Sequence, residues 1–112
     1  MKKTILGELE ELVLLVVAAS TEQMYGVPVM EQLQLHAGRS FTIGAVHTTL
    51  YRLEEKGFLS SSVGGATTDR GGRRKRFFAL TAAGATVLSE IRTMRENLWQ
   101  AIPEGKFKLL GQ

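Results

Sequence analysis

Only two stretches of the sequence are typical of β-strands, and a glycine-rich segment separates them. The first runs from Phe58 to Val63 and the second from Arg74 to Leu80. Between them, residues 64–72 include four glycines, which predicts a hairpin with a long tip. The other regular apolar patterns in the chain have helical spacing. The sequence therefore predicts a mainly α fold with a small β-hairpin.

Three helices are predicted before the hairpin. In the first, over about 6–19, apolar residues recur at spacings of three and four behind an acidic start, which favours a helix over a buried strand. A loop over 20–24 leads to the second helix, at about 25–37. The third runs over about 43–56, begins at the N-cap Thr42 and has one continuous apolar face.

A fourth helix, over about 82–101, follows the hairpin and is stopped by Pro103. The order helix, helix, helix, strand, loop, strand, helix describes a winged helix-turn-helix with an additional C-terminal helix. At 112 residues the chain has room for one such domain. We expect a DNA-binding domain over 1–80, a dimerisation helix over 81–103 and a frayed tail over 104–112.

Several kinds of chemistry lack the residues that they need. The absence of cysteine excludes disulfides and thiol catalysis. The two histidines, His36 and His47, lack the spacing of metal ligands, and the sequence contains no phosphate loop or nucleophile motif. We therefore expect no enzymatic activity and no cofactor. The longest apolar run, Leu12 to Ala19, is too short to cross a bilayer, and acidic residues interrupt any signal peptide, so we expect a cytoplasmic protein.

The positive charge of the chain is concentrated in its middle third. The formal charge is −2 over residues 1–40, +4 over 41–80 and +1 over 81–112. Such focusing predicts contact with a polyanion, here double-stranded DNA. A charged edge strand exposed to solvent is the alternative. The basic wing, residues 64–76, is expected to contact phosphates or the minor groove through Arg73, Arg74, Lys75 and Arg76.

The polar side of the third helix is suited to the major groove. Small residues at its N-terminal end let the backbone approach a duplex closely, and longer side chains can then reach base edges or phosphates. The predicted contacts are Thr42, Gly44, His47, Thr48, Tyr51 and Arg52. A merely solvated helix face is the alternative at this level. For the whole chain, the competing function is a winged-helix protein-interaction module that does not bind DNA.

The fourth helix carries a heptad-like apolar stripe. Its members are Val87, Ile91, Met94 and Leu98, with Trp99 beside them. A projecting helix cannot bury such a stripe alone, so we expect a homodimer in which a second copy covers it. The alternative is that the helix folds back on its own domain. Trp99 could also line a site for a small apolar effector, although packing is the simpler role for a tryptophan at an interface.

Short motifs along the chain resemble the PadR family of winged-helix transcriptional regulators, over roughly residues 6–99. They are Tyr25-Gly26 at the start of the second helix, Leu50-x-x-Leu53-Glu54-x-x-Gly57 at the end of the third, Gly71-Gly72-Arg73-Arg74 in the wing and Phe78-x-Leu80-Thr81-x-x-Gly84 after it. The resemblance implies a homodimeric repressor with its C-terminal helices at the dimer interface. Its implied DNA contacts are Thr42, Gly44, His47, Thr48, Arg73 and Arg74.

The chain departs from the family pattern at two of these places. Family members usually have Gly-Thr-Leu-Tyr where this chain has Gly44-Ala45-Val46-His47, so His47 replaces a tyrosine that contacts DNA in relatives. Some short-tailed relatives bind aromatic drugs with a tryptophan of the last helix. Here Arg95 takes that place and Trp99 lies about one turn later. Because of the His47 replacement, the operator preference of relatives does not transfer to this chain, and the shifted tryptophan argues against a drug-binding role.

Overall fold

The fold is described from a computed structural model, which describes residues 6–64 and 75–111. Four helices and a two-stranded antiparallel hairpin follow one another in the order that the sequence predicts, and a short fifth helix comes after them. The elements are α1 (Glu8–Ala19), α2 (Gly26–Ala37), α3 (Ile43–Glu55), β1 (Leu59–Val63), β2 (Arg76–Leu80), α4 (Ala82–Ala101) and α5 (Lys106–Leu109). Among these described elements, none is a helix long and apolar enough to cross a membrane.

The hydrophobic core lies between the first three helices and is closed by the hairpin and the start of α4. Its most deeply buried side chains come in pairs or triplets from each helix: Val13 and Leu14, Val29 and Leu33, and Val46, Leu50 and Leu53. Burying each such side chain contributes about 1.5–3 kcal/mol. Ile43, predicted on the same face of α3, is 37% exposed because it lies in the first turn, at the edge of the core.

Local capping interactions set the helix ends where the sequence signals occur. Gly38 ends α2 with a φ of 65°, a left-handed conformation that glycine adopts without steric cost. The Thr42 hydroxyl accepts the Ala45 N–H at 3.1 Å at the start of α3, and the Thr81 hydroxyl accepts the Gly84 N–H at 3.0 Å at the start of α4. Caps of this kind contribute about 1 kcal/mol each.

The hairpin has a third pairing partner that the sequence did not indicate. In the register of β1 and β2, Leu59 faces Leu80 and Val63 faces Arg76. On the other edge of β2, Met24 forms an antiparallel bridge with Phe78, whose N–H donates to the Met24 carbonyl at 2.7 Å. The segment 20–24, predicted as a loop, lies outside the helices and strands but contains this one bridge residue. A single bridge residue satisfies backbone groups of β2 but leaves no periodic pattern to detect.

The base of α4 is fixed closely to the domain. A Cβ added at Gly84 would lie 2.3 Å from the carbonyl oxygen of Phe58, so only glycine permits this approach. About three turns further along α4, the guanidinium of Arg95 donates to both carboxylate oxygens of Glu11, at 2.7 and 3.1 Å. These contacts define the direction in which α4 leaves the core.

The C-terminal residues form a short helix where a frayed tail was expected. After Pro103 the chain turns at Gly105, with a φ of 82°, into α5. The ring of Phe107 then packs edge-on against Trp99, with 6.2 Å between ring centroids. This aromatic contact gives the tail a partner on α4, and a sequence pattern of nine residues did not reveal it.

Candidate nucleic-acid interface

The polar side of α3 is fixed outward by its buried side. Because Val46, Leu50 and Leu53 are fully buried, the rotation of α3 about its axis is set by the core. At about 100° per residue, positions 44, 47, 48, 51 and 52 share the opposite side. All six predicted contacts of this region are exposed: Thr42, Gly44, His47, Thr48, Tyr51 and Arg52.

The N-terminal end of this exposed side carries only small side chains. Nothing lies within 4 Å of a Cβ built at Gly44, so the helix surface there is open to a neighbouring molecule. Thr48, one turn later, is also exposed. A duplex backbone or base edge can therefore approach the axis of α3 more closely here than over a longer side chain.

His47 lies against the first residue of α2. A Cβ added at Gly26 would be 2.2 Å from Nε2 and 2.6 Å from Cδ2 of His47. Because Gly26 has no side chain, the imidazole of His47 fits against the start of α2. The backbone of α2 at Gly26 then limits where that ring can lie. The Tyr25-Gly26 motif marks this position in the sequence, but the contact with a residue 21 positions later follows only from the packing of α2 on α3.

Tyr51 joins α3 to the hairpin. Its ring packs edge-on against the buried ring of Phe78, with centroids 5.7 Å apart, while 46% of Tyr51 stays exposed. Aromatic pairs in this arrangement are favourable by about 0.5–1.5 kcal/mol beyond the area that they bury. Tyr51 was predicted only as a DNA contact, and the structure gives it this packing role as well.

Two of the four predicted wing cations belong to the described part of the chain. Arg73 and Arg74 lie outside the described residues. Arg76, at the start of β2, donates to the Ser61 hydroxyl at 2.9 Å, and that hydroxyl donates in turn to the Glu54 carboxylate. The guanidinium of Arg76 is therefore connected through β1 to the last turn of α3.

Lys75 contacts Tyr25, a residue that the sequence did not assign to the site. Its ammonium donates to the Tyr25 hydroxyl at 3.2 Å and lies 4.3 Å from the centroid of the Tyr25 ring. The same ring packs edge-on against Phe77, with centroids 5.6 Å apart. Tyr25 appeared in the sequence only as part of a motif at the start of α2, and no local signal connects it with residues about 50 positions later.

A partly buried ion pair, with Glu10 buried and Lys56 exposed, lies at the opposite end of α3. The Lys56 ammonium, at the C-cap of α3, donates to both oxygens of Glu10 at 2.8 and 3.0 Å, and the Gly7 N–H donates to Glu10 at 2.8 Å. Burial raises the pKa of the Glu10 carboxyl, but hydrogen bonds from Lys56 and Gly7 and the positive charges of Lys56 and Arg52 outweigh it. The net result is a pKa below the usual value of 4.5. Lys56 thus orients α3 and is committed to Glu10.

Away from this surface, the outer part of α4 leaves apolar side chains uncovered. Val87 is buried and Ile91 half-buried, but Met94, Leu98 and Trp99 are 47%, 63% and 66% exposed. Arg95 lies among them, and its bonds with Glu11 raise the pKa of its guanidinium. The apolar stripe predicted from the sequence is therefore divided into a covered half and an open half.

A second apolar surface lies between α1 and α2. It is a groove of about 970 Å³. Its apolar lining includes Leu12, Leu15 and Val16 of α1 and Pro28 and Leu33 of α2. Of the large apolar side chains that are exposed in the described ranges, Leu15 lines this groove, and Met94, Leu98 and Trp99 lie on the open half of α4. Contiguous apolar surface of this kind marks a site of interaction with another molecule.

Comparisons with known proteins bear on this surface. The sequence model of a family described as the transcriptional regulator PadR-like family matches residues 13–90. A comparison with curated proteins found no match to this chain.

Solved structures share the fold. A PadR-like transcription factor from Bacteroides fragilis superposes with a TM-score of 0.72 at 22% identity, covering 84% of this chain and 85% of that one. A PadR family transcriptional regulator from Eggerthella lenta is 28% identical, with a TM-score of 0.62 over 92% of this chain and 86% of that one. Bacillus subtilis PadR in complex with operator DNA has a TM-score of 0.62 at 18% identity, covering 87% of this chain and 51% of that one.

Proposed function

This chain belongs to the PadR-like family of transcriptional regulators, and from that premise we propose that it binds operator DNA as a homodimer and represses transcription. In this proposal α3 enters the major groove, and the basic hairpin contacts phosphates or the minor groove on the same side of the duplex. The solved complex of Bacillus subtilis PadR with operator DNA is a precedent for duplex binding within this fold.

The observation that carries the proposal is the contact between Tyr51 and Phe78. The two rings, 5.7 Å apart, join the exposed side of α3 to the strand that leads out of the basic segment. A recognition helix and a cationic hairpin that are joined in this way can act on one duplex as a single surface. An interaction module has no need for a cation-rich hairpin beside a helix with small residues at its start.

The residues have different roles in this proposal. His47 and Thr48 contact base edges, and Gly44 allows the close approach that they require. Tyr51 and Arg52 contact the phosphate backbone farther along α3. The cations of the hairpin neutralise phosphates, which contributes affinity but little sequence discrimination: Arg73, Arg74, Lys75 and Arg76.

A second copy of the chain covers the open half of α4. Met94, Leu98 and Trp99 are too exposed for a projecting helix in water, and the groove beside α1 offers an apolar surface of matching character. Two copies related by a two-fold axis present two α3 helices to successive major grooves, about 34–36 Å apart. The operator is then an inverted repeat.

The division of the chain follows from these roles. Residues 1–80 form the DNA-binding domain and residues 81–103 the dimerisation helix. Val87, Ile91, Met94, Leu98 and Trp99 form the interface. A small apolar effector near Trp99 stays a prediction. Because Phe107 packs against the Trp99 ring, such an effector would have to bind beside this aromatic pair or displace Phe107.

Selection of bound fragments from a pool of random duplexes tests the proposal most directly. We expect the enriched fragments to contain an inverted repeat with half-sites about 10 base pairs apart, centre to centre. Placing such a fragment over a reporter promoter should lower expression when the protein is present. A protein-interaction module would enrich no sequence and would shift no duplex in a gel even at low salt, and that result would refute the proposal.

A further inference from the structure

We propose that Tyr25 is a positioning residue for DNA binding, because it holds Lys75, the residue before β2, at the loop end of the hairpin ready for a phosphate. This inference rests on the proposed function and concerns a residue outside the predicted contacts. It assigns a specific task to the aromatic side chain at the start of α2.

The ring and hydroxyl of Tyr25 together form a site that holds the Lys75 ammonium, here called the seat. This ammonium lies 4.3 Å from the centroid of the Tyr25 ring and donates to the Tyr25 hydroxyl at 3.2 Å. The ring in turn packs edge-on against Phe77, two residues along the same strand face. Alternate residues of a strand point to the same side, so Lys75 and Phe77 both meet Tyr25 on the side of the hairpin opposite Phe78.

Backbone contacts fix Tyr25 itself. The preceding residue, Met24, is bridged to Phe78 by two hydrogen bonds of 2.7 and 3.3 Å. The following residue, Gly26, begins α2 and packs against His47. The Tyr25 side chain makes no capping bond to α2. Its position is therefore set from both sides by the fold, while its ring and hydroxyl serve the hairpin.

The hairpin backbone is adapted to this arrangement at Gly64. A Cβ at Gly64 would lie 2.1 Å from the Phe77 ring, and the Gly64 N–H donates to the Lys75 carbonyl at 2.7 Å. Because Gly64 has no side chain, its backbone can bond to Lys75 while the Phe77 ring packs beside it. The backbone of Lys75 is thereby fixed as well as its ammonium.

A lysine seated in this way can still bind a phosphate. The ammonium has three donors, of which the Tyr25 hydroxyl takes one, and Lys75 is exposed. Confining a long side chain before binding removes part of the entropy that it would otherwise lose on the duplex. Tyr25 would thus raise affinity without touching DNA.

The test measures the salt dependence of DNA affinity, because its slope counts phosphate contacts and Tyr25 carries no charge. Wild type, Tyr25→Leu and Tyr25→Phe are titrated against a labelled random-sequence duplex of about 30 base pairs at several salt concentrations. Loss of the seat should weaken binding about two- to fivefold in Tyr25→Leu. The plot of log K against log salt should become less steep by up to about 0.9, because an unconfined Lys75 neutralises its phosphate in fewer complexes. A smaller loss is expected in Tyr25→Phe, which keeps the ring.

Lys75→Met and the double variant Tyr25→Leu with Lys75→Met complete the experiment. Once Lys75 is gone, Tyr25→Leu should cause no further loss. Ser62→Ala, exposed on β1 opposite Phe77, is the matched hairpin control and should bind like wild type. Thermal melts show whether each variant is folded.

Three results would overturn the inference. An unchanged slope and affinity in folded Tyr25→Leu would mean that Tyr25 positions nothing, and so would additive losses in the double variant. If wild type itself binds no duplex at low salt, the proposed function fails and the role of Tyr25 fails with it. The wild-type titration therefore separates the two failures.

Discussion

The His47 imidazole on α3 fills the space that a side chain at Gly26 on α2 would need: a Cβ on Gly26 would lie 2.2 Å from Nε2 of that ring. The start of α2 thereby limits how far the His47 ring can turn toward that helix. By its resemblance to the family, the chain has His47 where members usually have tyrosine, so this contact concerns a distinguishing side chain of the proposed DNA-binding surface. Gly26 and His47 are best treated as one unit.

Gly26→Ala should therefore change DNA recognition more than stability. The added methyl group must displace His47, whose exposed ring can rotate away, so we expect the free energy of unfolding to change by less than about 1 kcal/mol, below the usual cost of overpacking a core. The sequences enriched from random DNA should change at the base pair that His47 contacts. Denaturant unfolding and fragment selection measure the two effects, and an unchanged motif would contradict the prediction.

Gly44→Ala is the matched substitution on the open side of α3. Nothing lies within 4 Å of the added Cβ, so replacing glycine inside the helix should stabilise the free protein by about 0.5–1 kcal/mol. Affinity for selected operator DNA should nevertheless fall, because the methyl group holds the duplex away from α3. Equal or higher affinity would show that the duplex does not approach Gly44 closely.

Substitutions in the wing should change affinity for all duplexes, whereas substitutions on α3 should change preference among operators. Arg74→Ala removes a cation and should weaken binding to all duplexes while lowering the salt slope by about one. His47→Ala and Thr48→Ala should instead alter preference among operators, by about 1–3 kcal/mol at a contacted base pair. Affinity measured on selected and random duplexes over a salt series distinguishes the two patterns. If Arg74→Ala leaves the slope unchanged, the wing assignment is wrong.

The proposed dimer should depend on the open half of α4. Leu98→Glu places a charge within the exposed apolar stripe and should convert a micromolar dimer to monomer in analytical ultracentrifugation. Gln100→Glu adds the same charge two residues later, about 200° around the helix, and should leave the dimer intact. If both variants stay dimeric, or if wild type is monomeric at that concentration, α4 is not the interface.

The Glu10–Lys56 pair should make stability depend on pH. The pKa of Glu10 lies below its usual value of 4.5 in the folded chain, so the unfolded chain binds the proton more readily. The stability from this pair is therefore complete above that value and is lost as pH falls through 4.5 toward the lower folded pKa. Glu10→Gln should cost about 1–3 kcal/mol at neutral pH and flatten the acid side of the profile.

Thermal unfolding across acidic and neutral pH measures this effect. Glu31→Gln, at an exposed position on α2, is the control and should keep the wild-type profile. If the profile of Glu10→Gln runs parallel to that of wild type below pH 4.5, the linkage assigned to Glu10 is wrong.

Much of the fold was predictable because it is encoded over a few neighbouring residues. The spacing of Val46, Leu50 and Leu53 defines the buried face of α3, and a threonine before each helix marks the starts of α3 and α4. The bounds of α4 agree with the prediction to the residue. The exposed set on α3 follows from the same periodicity, since fixing one face of a helix also fixes the other.

Contacts between distant parts of the chain were decided only by the tertiary structure. Tyr25 meets Lys75 across 50 residues, Lys56 meets Glu10 across 46, and Met24 bridges Phe78 on an open strand edge. Each depends on the angle and distance at which one element packs on another, which side-chain volumes throughout the core determine together. The amino-acid sequence alone thus established which elements form and which faces they expose, while three-dimensional packing selected the partners of those faces.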